Sequence, residues 1–88
     1  MEKISKLIAN NDADFILFST DFCPYCSGAI KYLEQKSFTI AEINLQKNQE
    51  MLNLVKKETN HWTVPIILDV RNEKINFVGG FDDLRKYL

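Results

Sequence analysis

"FILFSTDFCPYCSGAIKYLEQKSFTIAEINL", residues 15–45, is the stretch that decides the fold. It opens on "FILFS" (15–19), a continuous apolar run of the kind found in a strand covered on both faces. After the two cysteines, Ala29, Ile30 and Leu33 make a helical stripe that reaches to about Lys36. "FTIAEINL" (38–45) then alternates, with β-branched residues, as a strand does. Strand, helix, strand is a βαβ unit, whose two strands are expected to be parallel with a right-handed crossover.

The flanks extend the same alternation. Residues 2–9 carry Ile4, Leu7 and Ile8 at helical spacing, and "NNDAD" (10–14) breaks that helix before the first strand. Downstream, Met51, Leu54 and Val55 face one side of a helix over about 49–59, with Lys56 and Lys57 off it. "TVPIILDV" (63–70) follows, and a polar turn at Arg71, Asn72 and Glu73 leads into "KINFVGG" (74–80), the second arm of a β-hairpin. Asp82 and Asp83 are good first-turn residues for a last helix, on which Leu84 and Leu88 share a face. The sum is an α/β fold: a small mixed sheet of four strands with helices on both faces.

Composition sets the limits of function. An 88-residue chain fills one core, so residues 1–88 are read as a single domain. With 45% hydrophobic and 26% charged residues, it resembles ordinary globular chains and not disordered ones. Eleven basic against twelve acidic side chains leave a net charge of −1, which offers no long-range attraction to nucleic acid or an anionic membrane. The apolar runs fall far short of the roughly 20 residues needed to span a bilayer, and "MEKISKLIANND" (1–12) lacks a signal-peptide apolar region. A cytoplasmic location is expected.

Cys23 and Cys26 are the only cysteines. Three positions apart, they cannot tie distant segments together as a secreted disulfide framework does. A zinc site would ordinarily need four ligands, and the chain adds only His61, with no second C-x-x-C; no metal is expected. A pair of inert buried cysteines is the plainer alternative, which Pro24 and Tyr25 at a strand-to-helix joint fit poorly.

A redox couple fits better. Cys23 suits the N-cap of the helix and Pro24 its first position, where a missing N–H costs nothing. The N–H groups of Tyr25 and Cys26 would then face the Cys23 sulfur, and with the helix dipole they favour thiolate, lowering such pKa values from about 8.5 to roughly 3.5–7.5. Asp21 opposes this by no more than about 1 kcal/mol through water. Cys23 is therefore the expected nucleophile, and Cys26, one turn on, the resolving thiol of a disulfide exchange.

With "CPYC" (23–26), "TVP" (63–65) and "GGFDD" (79–83) in this order and spacing, the chain resembles a glutaredoxin of the dithiol type. The resemblance implies a thioredoxin-like fold and glutathione as co-substrate, bound in a groove over Cys23. It implies a cis Pro65, which would leave the Val64 backbone free to pair with an extended peptide such as glutathione. It places the γ-glutamyl end at the start of the last helix, held by backbone N–H groups near Asp82 and by an Asp82 or Asp83 carboxylate, with Gly79 and Gly80 allowing close approach. Tyr25 would border the ligand and Thr63 support the loop.

The chain also departs from that family. Where many members have a lysine three residues before the first cysteine, it has Thr20, and before the T-V-P motif it has His61 and Trp62. Lys57, His61 or a backbone donor could supply the missing contacts, and Trp62 could wall the groove; simple packing is the plainer role for a lone His or Trp. The resemblance implies a monomeric reductase of glutathione mixed disulfides and protein disulfides, with a potential near −200 to −230 mV against about −270 mV for thioredoxin. Glutathionylated proteins at large and ribonucleotide reductase would both suit it as clients. The alternative is a dimeric carrier of a glutathione-ligated [2Fe–2S] cluster, against which Pro24 argues. A thioredoxin-type protein served by a flavoenzyme is a third reading, against which "GGFDD" speaks.

Overall fold

Every residue of the first strand, β1 (Phe15–Ser19), is buried, as an apolar run without alternation requires of a central strand. The computed structural model in which this is seen describes residues 2–9 and 11–88. Around β1 stand α1 (Glu2–Leu7), α2 (Pro24–Gln35), β2 (Ile40–Asn44), α3 (Gln49–Thr59), β3 (Ile66–Asp69), β4 (Asn76–Gly79) and α4 (Phe81–Tyr87). The sheet order is β2-β1-β3-β4, with β2 parallel to β1 and the other two pairings antiparallel. The expected βαβ unit and mixed four-stranded sheet are both present.

Successive strand side chains point to opposite faces, and two cores result. On one face Ile16, Phe18, Ile66 and Leu68 pack with Ile4 and Ile8, with Leu45, and with Leu52 and Val55 of α3. On the other Phe15, Leu17 and Ile67 pack with Cys26, Ala29 and Leu33 of α2 and Leu84 of α4. Helices thus cover both faces.

Several local expectations need adjusting. The stripe of α3 that is buried is Leu52, Val55 and Thr59, while Met51 and Leu54 sit at its margins. Leu7 is exposed rather than inward. The second strand starts at Ile40, because Asp14 and Thr39 bracket the segment before it: the Asp14 N–H donates to Thr39 Oγ1 and the Thr39 N–H to Asp14 Oδ2, each at 2.9 Å. β3 starts only at Ile66, since Pro65 has no N–H to give a ladder. Leu88 lies past the end of α4 and is exposed.

Register gathers the three sequence motifs at one end of the sheet. Ser19 ends β1, and Phe18 opposes Ile66 at the start of β3, so the segment 61–65 lies beside the segment 20–23. Gly79, at the end of β4, opposes Ile67, which brings Gly80 and the first turn of α4 to the same end.

Candidate active site

Cys23 is the N-cap of α2, with extended backbone, and Pro24 takes the first helical position. Its sulfur accepts a hydrogen bond from the Cys26 N–H at 3.2 Å, and its carbonyl accepts from the N–H groups of Cys26 and Ser27. The helix N-terminus is therefore aimed at this sulfur. Cys23 and Cys26 are joined in a disulfide, their Cα atoms 5.2 Å apart. Their environments differ: Cys26 is 3% exposed and packed in the α2 core, whereas Cys23 is only half-buried.

The approach to Cys23 is fixed by the neighbouring loop. The Asp21 N–H donates to Gln46 Oε1 at 3.1 Å, and Asp21 Oδ1 accepts from Asn44 Nδ2 at 3.0 Å. Asp21 is thereby turned to polar groups at and just after the end of β2, and Phe22, next to it, takes a left-handed backbone with φ 53°.

Beside this helix end lies a groove of about 300 Å³ lined by Tyr25, His61, Thr63, Val64, Pro65, Gly80, Phe81, Asp82 and Asp83. The Val64–Pro65 bond is cis. Seven residues proposed from sequence for ligand binding, Tyr25, Thr63, Val64, Pro65, Gly80, Asp82 and Asp83, thus come together. Gly79 does not line the groove; it acts through its backbone, at φ +117°, and a Cβ there would run into the Asp83 carboxylate. That carboxylate accepts from the Gly80 N–H at 2.9 Å and so caps α4. Gly79→Ala is expected to cost about 2 kcal/mol, from left-handed strain and a displaced cap. A urea titration of the two proteins measures it, and an unchanged midpoint would refute this account of Gly79.

The formal charge of the groove comes from Asp82 and Asp83, with no lysine or arginine in its lining. Lys57 borders a different depression, with Lys3 and Asn48 on the outer side of α3, and so does not replace the lysine missing at Thr20. Trp62 is 59% exposed, its indole N–H donating to Asn60 Oδ1 at 3.3 Å, and it does not wall the groove. His61 does: its ring meets Phe77 edge-on, and Nε2 is buried with no hydrogen-bond partner among the described residues. Phe81, which sequence reasoning passed over, lines the groove and packs edge-on against Tyr32. Its only sequence signal was its place between the glycine pair and the two aspartates. No group of three or more His, Cys, Asp or Glu placed to hold a metal ion occurs among the described residues.

Comparison with known proteins gives a consistent set. The family model described as glutaredoxin matches residues 15–73, a span that ends before Gly79. A probable glutaredoxin of Acanthamoeba polyphaga mimivirus is 34% identical over 96 residues, covering 97% of this chain and 87% of that protein. Glutaredoxin-1 of Rhizophagus irregularis is 33% identical over 86 residues, covering 94% and 79%. The solution structure of a dithiolic glutaredoxin from Trypanosoma brucei brucei superposes with a TM-score of 0.74 at 28% identity, covering 98% of this chain and 86% of that one. The crystal structure of a buckwheat glutaredoxin–glutathione complex gives a TM-score of 0.78 at 23% identity over 97% and 74% of the two chains, a likeness of fold.

Proposed function

The chain belongs to the glutaredoxin family of thiol oxidoreductases, and on that footing we propose that it is a glutathione-dependent enzyme that reduces glutathione mixed disulfides and protein disulfides. The observation that carries this reading is the asymmetry of the cysteine pair beside a peptide-sized groove: a half-buried Cys23 at a helix N-terminus and a buried Cys26 one turn on.

In the proposed cycle the Cys23 thiolate attacks the glutathione sulfur of a mixed disulfide. The client sulfur leaves with the bonding electron pair and takes a proton, and glutathione stays on Cys23. A second glutathione thiolate then attacks that glutathione sulfur, releasing oxidised glutathione and regenerating the Cys23 thiolate. With a protein disulfide, the client is at first held on Cys23. Cys26 attacks the Cys23 sulfur, the client leaves as a dithiol, and the Cys23–Cys26 disulfide is reduced by two glutathione molecules.

The groove supplies the binding that the chemistry needs. The turn at Val64–Pro65 offers backbone hydrogen bonds to an extended peptide, and Asp82 and Asp83 can pair with the ammonium of a γ-glutamyl group. Tyr25 and Phe81 give the ligand apolar contact. The buckwheat relative, solved with glutathione, supports that choice of ligand.

The test is reduction of the mixed disulfide of glutathione and 2-mercaptoethanol, with glutathione as the electron source. Turnover that saturates in the disulfide and stops without glutathione is expected. No acceleration over the uncatalysed exchange, or equal turnover with a thioredoxin-type flavoenzyme in place of glutathione, rules the reading out.

A further inference from the structure

The three most exposed large apolar side chains in the described structure are Phe22, at full exposure, Tyr25 at 66% and Trp62 at 59%. Two of them adjoin the redox pair in sequence, and the third stands in the segment 61–65 that register brings beside it. Phe22 precedes Cys23, Tyr25 lies between the cysteines and lines the groove, and Trp62 precedes Thr63 in the loop that forms the opposite wall. Phe22 is also the odd member of the non-glycine residues with positive φ. Ser37 and Asn60 adopt it where α2 and α3 end, a usual helix stop, whereas Phe22 ends no helix. An aromatic residue held in left-handed backbone by its neighbours, with its side chain entirely in solvent, gains nothing for the fold.

The formal charge lining the neighbouring groove is of one sign. Asp21, Asp82 and Asp83 are exposed, and no lysine or arginine lines the groove. Phe22 adjoins Cys23 and Trp62 stands in the loop that register brings beside it, so an occupant of this surface is a substrate of the site rather than an unrelated partner.

Resting on the activity proposed above, we propose that Phe22 and Trp62 form a client-docking rim, selective for extended polypeptides whose oxidised cysteine is flanked by apolar residues and by lysine or arginine. Aromatic anchors supply contact area, and the aspartates favour basic and disfavour acidic clients. Phe22 and Trp62 lie outside the groove lining, so glutathione seated in the groove leaves these two side chains free for the client.

Three substrates test it: the small mixed disulfide of glutathione and 2-mercaptoethanol, and two glutathionylated peptides of equal length. One peptide carries Leu and Lys on both sides of the cysteine, the other Gly and Glu. Wild type should prefer the first peptide by about tenfold in kcat/KM, chiefly through KM, and less at high salt. In the double variant Phe22→Asn, Trp62→Ser, which changes only exposed side chains and suits the left-handed position, the preference should fall to within about twofold while turnover of the small disulfide is kept. Equal use of both peptides by wild type, or a preference that survives in the variant, overturns the rim. So does a wild-type dimer in sedimentation that the variant abolishes, since the patch would then be covered by a second copy. A wild-type protein that leaves the small disulfide untouched overturns the underlying activity, and the rim with it.

Discussion

Cys23→Ser should abolish reduction of glutathione mixed disulfides, by about a thousandfold or more, whereas Cys26→Ser should keep most of it and lose only reduction of protein disulfides. The split follows from position. The Cys23 sulfur accepts the Cys26 N–H at the open end of α2, where a negative charge is stabilised by the helix and a substrate can arrive. Cys26, 3% exposed among Ala29 and Leu33, is sheltered from substrate. Serine at 23 has a hydroxyl in the same place, but it is far less acidic than a thiol and cannot form a mixed disulfide. Serine at 26 removes only the internal leaving step, which free glutathione replaces when the client is a small disulfide. Steady-state assays of both variants on a glutathione mixed disulfide and on a protein disulfide measure the difference. The reverse pattern would mean that the roles of the two thiols are exchanged, and full activity in both would end the enzymatic reading.

The aspartate beside this site is engaged by residues at the end of β2. Asp21 stands two residues from Cys23, but its carboxylate is drawn toward Asn44 and its backbone N–H toward Gln46. The same bonds fix the loop in the shape that exposes Phe22. Thr20 brings no positive charge, and the groove lining holds no lysine or arginine, so helix α2 is the main source of stabilisation for a Cys23 thiolate.

Periodicity and turn chemistry made the order of elements legible, because "FILFS" is apolar at all but its last position and the last two helices begin after a polar or glycine break. The site was legible for a different reason. N-caps and first-turn prolines are local, so "CPYC" after a strand already places Cys23 at a helix end. What sequence could not supply was register. The meeting of Tyr25 with His61 and Phe81 depends on Phe18 facing Ile66 and Ile67 facing Gly79, pairings that no local pattern encodes. The choice of Leu54 over Leu52 failed for a similar reason: both fit a helical stripe with Val55, and only the position of the sheet decides that Leu52 is the buried one. Phe22 was hidden altogether, since its exposure comes from hydrogen bonds made by its neighbour to residues more than twenty positions away.

Asp69 at the far end of β3 escaped the sequence reading as part of an apolar run, and it should prove the largest single contributor to stability among the polar side chains. It is 1% exposed, and its carboxylate accepts from the Arg71 N–H and Nε, each at 3.0 Å, from Arg71 Nη2 at 2.9 Å, and from the Tyr87 hydroxyl at 2.6 Å. The Arg71 guanidinium lies over the rings of Phe15 and Phe38, about 5 Å from each centroid, so one carboxylate links β3, α4, β1 and the segment before β2. Burial pushes the Asp69 carboxyl up, but the hydrogen bonds from Arg71 and Tyr87 outweigh it and hold the pKa at about 2 against an ordinary 3.8. Asp69→Ala leaves the Tyr87 hydroxyl and the guanidinium without their acceptor, at a cost of about 3 kcal/mol, a large share of the stability of a domain this size. Because the folded pKa lies below the unfolded one, the charge contributes in full above about pH 4 and its contribution, about 2 kcal/mol, is lost as pH falls toward 2. Urea titrations across that window should therefore show a wild-type decline that Asp69→Asn lacks, with the two proteins converging in acid. Asp69 pairs with Phe15, at the end of β1 away from Cys23, so disulfide reduction by folded Asp69→Asn should match wild type. Parallel pH profiles for the two proteins would show that the buried carboxylate does not carry the acid sensitivity, and a loss of activity in the folded variant would show that this end of the sheet is coupled to the site.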